Sequence, residues 1–271
     1  MQALREWPEE DRRQVVGVFT DIDDTLTTEG AITPDALDAL QRLRQAGLPV
    51  VAITGRPLGW SVPFAQTWPV DAIVAENGSV ALVPGPQGLR KLYLQDAQTR
   101  ARNFTRMEQV AIRIMREVPG AVLSQDSPGR ETDIAIDHSE FTQLPPRAIA
   151  DVVRIMQSEG MSATVSSIHI NGWYGDHNKL VGARWIVQAL WGRMLDTEMA
   201  GWVFVGDSTN DQLMFQAFDN SIGVANIRRF VPELTHLPRY VTPGERGAGF
   251  AQVVQALLAT PGRCQPHALS A

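Results

Sequence analysis

The apolar residues of this chain form short continuous runs that are typical of strands buried on both faces. These runs are VVGVF at 15–19, LPVVAI at 48–53, DAIVA at 71–75 and WVFV at 202–205. They show little alternation of apolar and polar positions, which favours a parallel sheet covered by helices over a sheet with one wet face. We therefore predict an α/β core built on four buried strands.

An amphipathic helix is predicted between the first two runs. In PDALDALQRLRQAG, from Pro34 to Gly47, Leu37, Leu40 and Leu43 recur at helical spacing. Proline suits the first turn of a helix, and glycine is a natural stop. A strand, helix and strand of this length predict a right-handed βαβ unit, in which the second strand lies beside the first.

The pattern changes in the middle of the chain. Two predicted helices alternate there with two pairs of strands, at 104–118, 121–124, 132–137, 146–159, 162–166 and 168–173. This order predicts a small α+β domain inserted into the first one. PGPQG at 84–88 is the predicted boundary, which assigns residues 1–85 and 175–271 to a core domain and 86–174 to the insert.

Two strands of the insert alternate polar and apolar residues. Asp133 and Asp137 flank isoleucines in one strand, and His169 and Asn171 do so in the other. This alternation indicates one polar face, which could face either solvent or a substrate. We expect most of these polar residues to face solvent, because polar strand faces usually do.

Acidic residues follow two of the buried runs. Asp21 and Asp23 follow the first run, and Asp207 and Asp211 follow the fourth. Ligands of open α/β sheets bind at the carboxyl ends of the strands, so these side chains are expected to lie close together. Aspartates can also be ordinary helix caps. Four carboxylates at one edge would repel each other unless a hard cation bound them, and Mg²⁺ is the natural candidate.

Candidate anion-binding residues follow the second run. A hydroxyl, a glycine N–H and a guanidinium occur in sequence at Thr54, Gly55 and Arg56, although an ordinary strand-to-helix turn would also fit. Lys179 lies at the start of a predicted helix, where the helix dipole disfavours a cation. This position suggests that the lysine has an anionic partner elsewhere.

Composition narrows the classes of partner. The net charge of −6 and the absence of a basic patch argue against a nucleic-acid partner. No run of apolar residues is long enough for a membrane span, and the charged N-terminal stretch does not resemble a signal peptide. The single cysteine, Cys264, cannot form an internal disulfide, so a cytoplasmic location is expected.

Four motifs occur in a recognisable order. DIDDTLT at 21–27, ITGRP at 53–57, NK at 178–179 and GDSTND at 206–211 resemble the ordered motifs of the haloacid dehalogenase (HAD) superfamily. AENG at 75–78 and the α+β insert resemble its Cof-type, or IIB, branch, which includes sugar-phosphate phosphatases and phosphomannomutases. The resemblance implies a Rossmann-like core with helices on both faces of a parallel sheet, and an inserted α+β cap.

The resemblance also implies a mechanism and the residues for it. Asp21 would be the nucleophile that forms an aspartyl-phosphate, and Asp23 the acid and base. Mg²⁺ would be held by the side chains of Asp21 and Asp207 and the backbone carbonyl of Asp23, with Asp211 completing or orienting the metal shell. The phosphoryl oxygens would be bound by Thr54, Gly55, Lys179 and Asn210.

The substrate is less well defined than the reaction. A small phosphorylated metabolite, in particular a sugar phosphate, is expected, and Arg56, Asn77, Arg130 and His169 are the candidate contacts to its leaving group. A phosphomutase and a non-catalytic phosphate-binding protein remain alternative functions.

Asp24 departs from the family pattern, because glycine is more common after the acid/base aspartate.

Overall fold

The computed structural model describes residues 1–166 and 168–262. Cys264, for which a reduced state is expected, lies outside these ranges. The strands in chain order are β1 (Gln2–Ala3), β2 (Gly17–Thr20), β3 (Thr27–Thr28), β4 (Ala31–Ile32), β5 (Val50–Ile53), β6 (Ala72–Ala75), β7 (Val80–Val83), β8 (Arg90–Tyr93), β9 (Val122–Leu123), β10 (Ile134–Asp137), β11 (Ser162–Val165), β12 (His169–Trp173), β13 (Trp202–Gly206), β14 (Asn220–Gly223) and β15 (Tyr240–Val241). The helices are α1 (Glu9–Arg13), α2 (Pro34–Gln45), α3 (Leu58–Thr67), α4 (Ala97–Glu117), α5 (Pro146–Ser158), α6 (Lys179–Trp191), α7 (Leu195–Glu198), α8 (Gln212–Ala217) and α9 (Arg246–Leu258).

A nine-stranded sheet forms the core, in the order β1-β15-β14-β13-β2-β5-β6-β7-β8. The first seven strands in this order pair in parallel. Strand β7 pairs antiparallel with both of its neighbours, β6 and β8. Helices α2, α3 and α9 pack on one face, and α6, α7 and α8 pack on the other. The predicted α/β core with helices on both faces is confirmed. Its strands are apolar and buried, as expected for a sheet that helices cover on both faces.

The N-terminal residues complete one edge of this sheet. Strand β1 pairs with β15, and the indole of Trp7 donates a hydrogen bond of 2.8 Å to Asn220 Oδ1 on β14. At the opposite edge, β8 lies within the segment predicted as the insert but pairs with β7 in the large sheet. Residues 84–88 form a tight turn, closed by a bond from Gly88 N–H to Gly85 O, rather than a linker between domains.

A second, four-stranded antiparallel sheet follows β8 in the chain, in the order β11-β12-β10-β9. Helices α4 and α5 cover one of its faces and bury an apolar core that includes Met107, Ile114, Ile136 and Ile155. This arrangement agrees with the predicted α+β insert. Among the helices of the described ranges, none is both long and apolar enough to cross a membrane.

The polar face of the second sheet lies against the core domain. Asp133, Asp137, His169 and Asn171 are at most 2% exposed, and Asn171 Nδ2 donates to the Gly55 carbonyl of the core at 3.3 Å. The expectation that these residues face solvent is therefore wrong. Strand alternation identifies a polar face correctly, but it does not show whether water or another domain covers that face.

Candidate active site

Three neighbouring parallel strands deliver polar residues to one edge of the large sheet. Strand β2 lies between β13 and β5. Asp21 follows β2, Thr54 follows β5 and Asp207 follows β13, so all three emerge at the carboxyl edge. Lys179, the first residue of α6, reaches the same place. The continuous apolar runs give the strands their position, and the polar residues that end each run form the site.

Asp21, Asp207 and Asp211 lie together, and we call them the catalytic carboxylate cluster after the roles predicted for them from the sequence. One carboxylate oxygen from each of them lies within 4.8 Å of the others, and all three side chains are buried. Lys179 Nζ donates to Asp21 Oδ1 at 2.5 Å and to Asp211 Oδ1 at 2.7 Å. Asp211 Oδ2 accepts the backbone N–H of Asp207, which fixes the turn after β13.

Burial raises the pKa of Asp21 to about 8, although Lys179 acts to lower it. Burial and the charges of Asp21 and Asp211 also raise the pKa of Asp207 well above its ordinary value. Burial alone would lower the pKa of Lys179, but the two carboxylates outweigh it and hold the pKa above the usual value. One ammonium group does not neutralise three ionised carboxylates, so without a cation the protonated forms of Asp21 and Asp207 are favoured.

A hard divalent cation fits this cluster. Asp207 Oδ1 is a buried oxygen without a hydrogen-bond partner, whereas Asp207 Oδ2 accepts a bond from Asn226 Nδ2 at 2.9 Å. A buried carboxylate oxygen that lacks any donor is costly unless a cation binds it. Carboxylate oxygens are the ligands that Mg²⁺ prefers, so the donor set agrees with this metal.

The residues predicted to bind phosphate lie next to the cluster. Thr54 Oγ1 accepts the N–H of Arg56 at 3.0 Å, and Asn210 Oδ1 lies 3.4 Å from Lys179 Nζ. Thr54, Gly55 and Asn210 line the same cavity as Asp21 and Asp207. This cavity has a volume of about 20 Å³ and lies between the core and the second sheet.

Comparisons with known proteins agree with this architecture. The sequence model of the haloacid dehalogenase-like hydrolase family matches residues 18–124. A phosphoglycolate phosphatase of Methanothermobacter thermautotrophicus is 24% identical over 243 residues, which cover 89% of this chain and 98% of that protein. The sucrose-phosphatase of Synechocystis sp. PCC6803, solved with sucrose and phosphate, aligns with a TM-score of 0.63 at 17% identity over 90% of this chain and 98% of its own. The predicted resemblance to the HAD superfamily is confirmed.

A second solved structure has the same fold. A solved sugar phosphatase of HAD subclass IIB aligns with a TM-score of 0.63 at 14% identity, over 89% of this chain and 98% of its own. This chain therefore shares the fold of that protein, with a core domain and an inserted α+β domain. We call the second sheet with α4 and α5 the cap.

Arg56 joins the core domain to the cap. Its Nε donates to both oxygens of Asp23, at 3.0 and 3.2 Å. Its terminal nitrogens reach two cap residues, Asp126 at 3.3 Å and Glu140 at 3.0 Å. His169 Nε2 lies 2.7 Å from the second oxygen of Glu140. Arg56 and His169, both predicted to contact the leaving group, thus lie in the cavity beside Asp23.

Asn77 and Arg130, the other predicted substrate contacts, lie outside the walls of this cavity. They belong with Glu76 and Asp133 to a buried set that we call the junction cluster. Arg130 Nη1 donates to Asp133 Oδ1 at 2.7 Å and to Gly55 O at 3.0 Å, and Asn77 Nδ2 donates to Asp133 Oδ2 at 3.1 Å. The structure therefore places Asn77 and Arg130 at the contact between core and cap.

Glu76 is the centre of the junction cluster. Its carboxylate accepts the N–H of Leu58 in the core at 2.9 Å, and the N–H groups of Glu131 at 3.0 Å and of Thr132 at 2.5 Å at the start of the cap strands. Burial raises the pKa of Glu76, against the lowering effect of these donors. One carboxylate thus binds backbone from both domains.

Two site residues were not recognised from the sequence. Asn226 bonds to Asp207 and follows β14, another parallel strand of the core, so the rule that ligands lie at carboxyl ends of strands could have found it. Glu140 lies in the loop after β10 and carries no sequence signal of its own.

Asp24, the departure from the family pattern, has a φ of 55°, in the region that favours glycine, and its carboxylate lies 3.0 Å from Arg246 Nε.

Proposed function

We propose that this protein is a Mg²⁺-dependent phosphatase that hydrolyses a small phosphomonoester, in particular a sugar phosphate, through an aspartyl-phosphate on Asp21. The observation that supports it best is the catalytic carboxylate cluster, in which an unpaired oxygen of Asp207 lies among three buried carboxylates beside Lys179. Buried charge of this kind is costly to retain without a use. The names of the similar phosphatases support the same activity.

The first half of the reaction would use Asp21 and Asp23. A carboxylate oxygen of Asp21 attacks phosphorus while the bond from phosphorus to the leaving oxygen breaks, and Asp23 gives that oxygen a proton. In the second half, water attacks the aspartyl-phosphate and Asp23 takes the proton back. Asp21 is then restored and inorganic phosphate is released.

The surrounding residues would hold the transferring group. Lys179, the hydroxyl of Thr54, the N–H of Gly55 and Asn210 would contact its non-bridging oxygens, where negative charge increases in the transition state. Asp21, Asp207 and Asp211, with the backbone carbonyl of Asp23, would hold or orient Mg²⁺. When bound, the cation neutralises charge on the carboxylates and on the phosphoryl oxygens.

The cap would select the leaving group and exclude water. The cavity of about 20 Å³ has room for roughly one water molecule, so a sugar phosphate can enter only when the cap moves away from the core. Such a movement would break the ion pairs from Arg56 to Asp126 and Glu140. It would free Arg56, Glu140 and His169 to contact the leaving group.

The test is phosphate release from a panel of sugar phosphates, 2-phosphoglycolate and an aryl phosphate, with Mg²⁺ or with EDTA. We include 2-phosphoglycolate because of the similarity to a phosphoglycolate phosphatase. We expect Mg²⁺-dependent release that Asp21→Asn reduces by at least about 10³-fold, since no other group replaces the nucleophile. Asp38→Asn, an exposed aspartate of α2, is the matched control and should retain full activity.

Other outcomes would identify the alternatives. Transfer of phosphate between sugar positions, dependent on a bisphosphate and with little free phosphate, would indicate a phosphomutase. Binding of Mg²⁺ and phosphate without turnover of any substrate would indicate a binding protein. Equal release by the wild type and by Asp21→Asn would contradict the proposed nucleophile.

A further inference from the structure

Asn226 contacts three separate segments of the core, one of which carries Asp207 of the catalytic carboxylate cluster. Its Nδ2 donates to Asp207 Oδ2 at 2.9 Å and to the carbonyl oxygen of Asp24 at 3.0 Å. Its Oδ1 accepts the N–H of Arg246, the first residue of α9, at 3.0 Å. A side-chain amide has two N–H donors and one oxygen, so all of its polar groups are bonded.

The bond to Asp207 determines which of its oxygens is free. Asp207 Oδ2 is bound by Asn226, while Oδ1 has no partner. Arg229 approaches Oδ2 only to 3.9 Å and is half exposed, so its contribution to the orientation is small. The amide is therefore the main group that sets the rotation of this carboxylate.

The bond to Asp24 connects the same amide to the loop that carries Asp21 and Asp23. This loop would supply two of the metal ligands, and Asp207 would supply a third. Because a single planar amide binds both segments, it fixes the distance between them as well as the orientation of Asp207. Groups that orient metal ligands in this way affect metal affinity without contacting the ion.

We propose that Asn226 is a positioning residue for the cation site, which holds Asp207 with Oδ1 toward the metal and ties it to the loop of Asp21. This inference rests on the proposed function, because it requires that the cluster binds a divalent cation. A neutral amide suits this role, since a cationic donor would compete with the metal for Asp207.

The test is equilibrium binding of Mn²⁺, followed by electron paramagnetic resonance, to the full-length protein. We expect Asn226→Ala to raise the dissociation constant by about 10- to 100-fold, the range typical for loss of such a group. Asn226→Ser, which is also too short to reach Asp207 and Asp24, should behave alike and serves as the second variant if the alanine variant folds poorly. In phosphatase assays, excess Mg²⁺ should restore most of kcat in both variants.

Asn220→Ala is the matched control. Asn220 is also a buried asparagine with both polar atoms bonded, to Trp7 Nε1 and to Ala200 O, each at 2.8 Å, but it lies on β14 away from the cluster. We expect this variant to lower the melting temperature and to leave Mn²⁺ affinity unchanged. If the role of Asn226 were only structural, its variants would likewise lower the melting temperature and leave Mn²⁺ affinity unchanged.

Two results would overturn the inference, and they differ. If the wild type binds Mn²⁺ and the Asn226 variants bind it within about twofold of the wild type, only the role of Asn226 is wrong. If the wild type binds no Mn²⁺, the proposed metal-dependent function fails together with it.

Discussion

The catalytic carboxylate cluster and the junction cluster both bury their carboxylates almost completely, but the oxygen atoms are bonded differently. In the junction cluster, both oxygens of Glu76 and of Asp133 accept hydrogen bonds from backbone or side chains. In the catalytic cluster, Asp207 Oδ1 accepts none. Burial of charge therefore does not distinguish the two clusters, whereas the unpaired carboxylate oxygen of Asp207 does.

The distribution of positive charge differs in the same way. In the junction cluster, Arg130 is bonded to Asp133 and to the backbone, so its charge is used within the fold. In the catalytic cluster, Lys179 is bonded to two carboxylates. During the reaction, the lysine would exchange part of this contact for a contact with the phosphoryl group. The three predictions below separate the two clusters, beginning with the largest effect.

Lys179→Met should damage catalysis most. We expect kcat/KM to fall by about 10³-fold, because the variant loses a buried donor to the transferring group. The measurement is phosphate release at saturating Mg²⁺. Lys91→Met removes a half-exposed lysine near the junction, whose partner is Glu131, and should keep full activity. A loss of less than about tenfold in Lys179→Met would argue against a catalytic role for this lysine.

Glu76→Gln should damage stability instead. Glutamine keeps one acceptor oxygen, but its NH₂ group would face backbone N–H donors that bond the carboxylate in the wild type. We therefore expect the free energy of unfolding to fall by about 2–3 kcal/mol. Urea denaturation in EDTA measures this change, with the exposed Glu108→Gln as the control. Mn²⁺ affinity should stay within about twofold of the wild type. Weaker Mn²⁺ binding at unchanged stability would show that the two clusters are not separate.

Expressed per pH unit, the dependence of stability on pH should give the smallest effect. Burial raises the pKa of Asp21 from 3.8 to about 8, so between these values the folded state binds more protons than the unfolded state. Without metal, stability should therefore fall as pH rises through this window, by at most about 1.4 kcal/mol per pH unit for one proton. Urea denaturation at pH 5, 6 and 7 measures this slope.

Magnesium should remove the part of the slope that belongs to the catalytic cluster, because bound metal favours the ionised carboxylates. Burial also raises the pKa of Asp133, to about 7, and this contribution has the same sign. It should persist in Mg²⁺ and disappear in Asp133→Asn. A slope that Mg²⁺ leaves unchanged would contradict the assignment of Asp21 to the metal site.

The fold was largely predictable because the strands of the core are continuous apolar runs and the helices between them are amphipathic. The same reasoning placed Asp21, Thr54 and Asp207 at one edge, since each directly follows such a run. It was less informative for the cap. There, His169 and Asn171 alternate with apolar residues as exposed residues would, yet the core domain covers them.

Contacts between the domains account for most of what sequence reasoning missed. Asn77 and Arg130 carry groups suited to a substrate, but Asn77 bonds to Asp133, 56 residues away in the chain, and Arg130 bonds to the Gly55 carbonyl, 75 residues away. Only the docking of the cap on the core brings these groups together. Glu76 lies in the AENG motif, and its place in the sequence does not predict the N–H groups that it accepts from Leu58 and Thr132.

The insertion of the cap within the core has a consequence for synthesis on the ribosome. Residues 17–20 of β2 pair with residues 202–205 of β13, and the cap is made between them. The strands of the cap pair only with each other, so this domain can fold while the core still lacks its central pairing. Asp21 and Asp207 therefore meet only after residue 207 of the 271 has emerged, and the nascent protein must keep the edge of β2 from other chains until then.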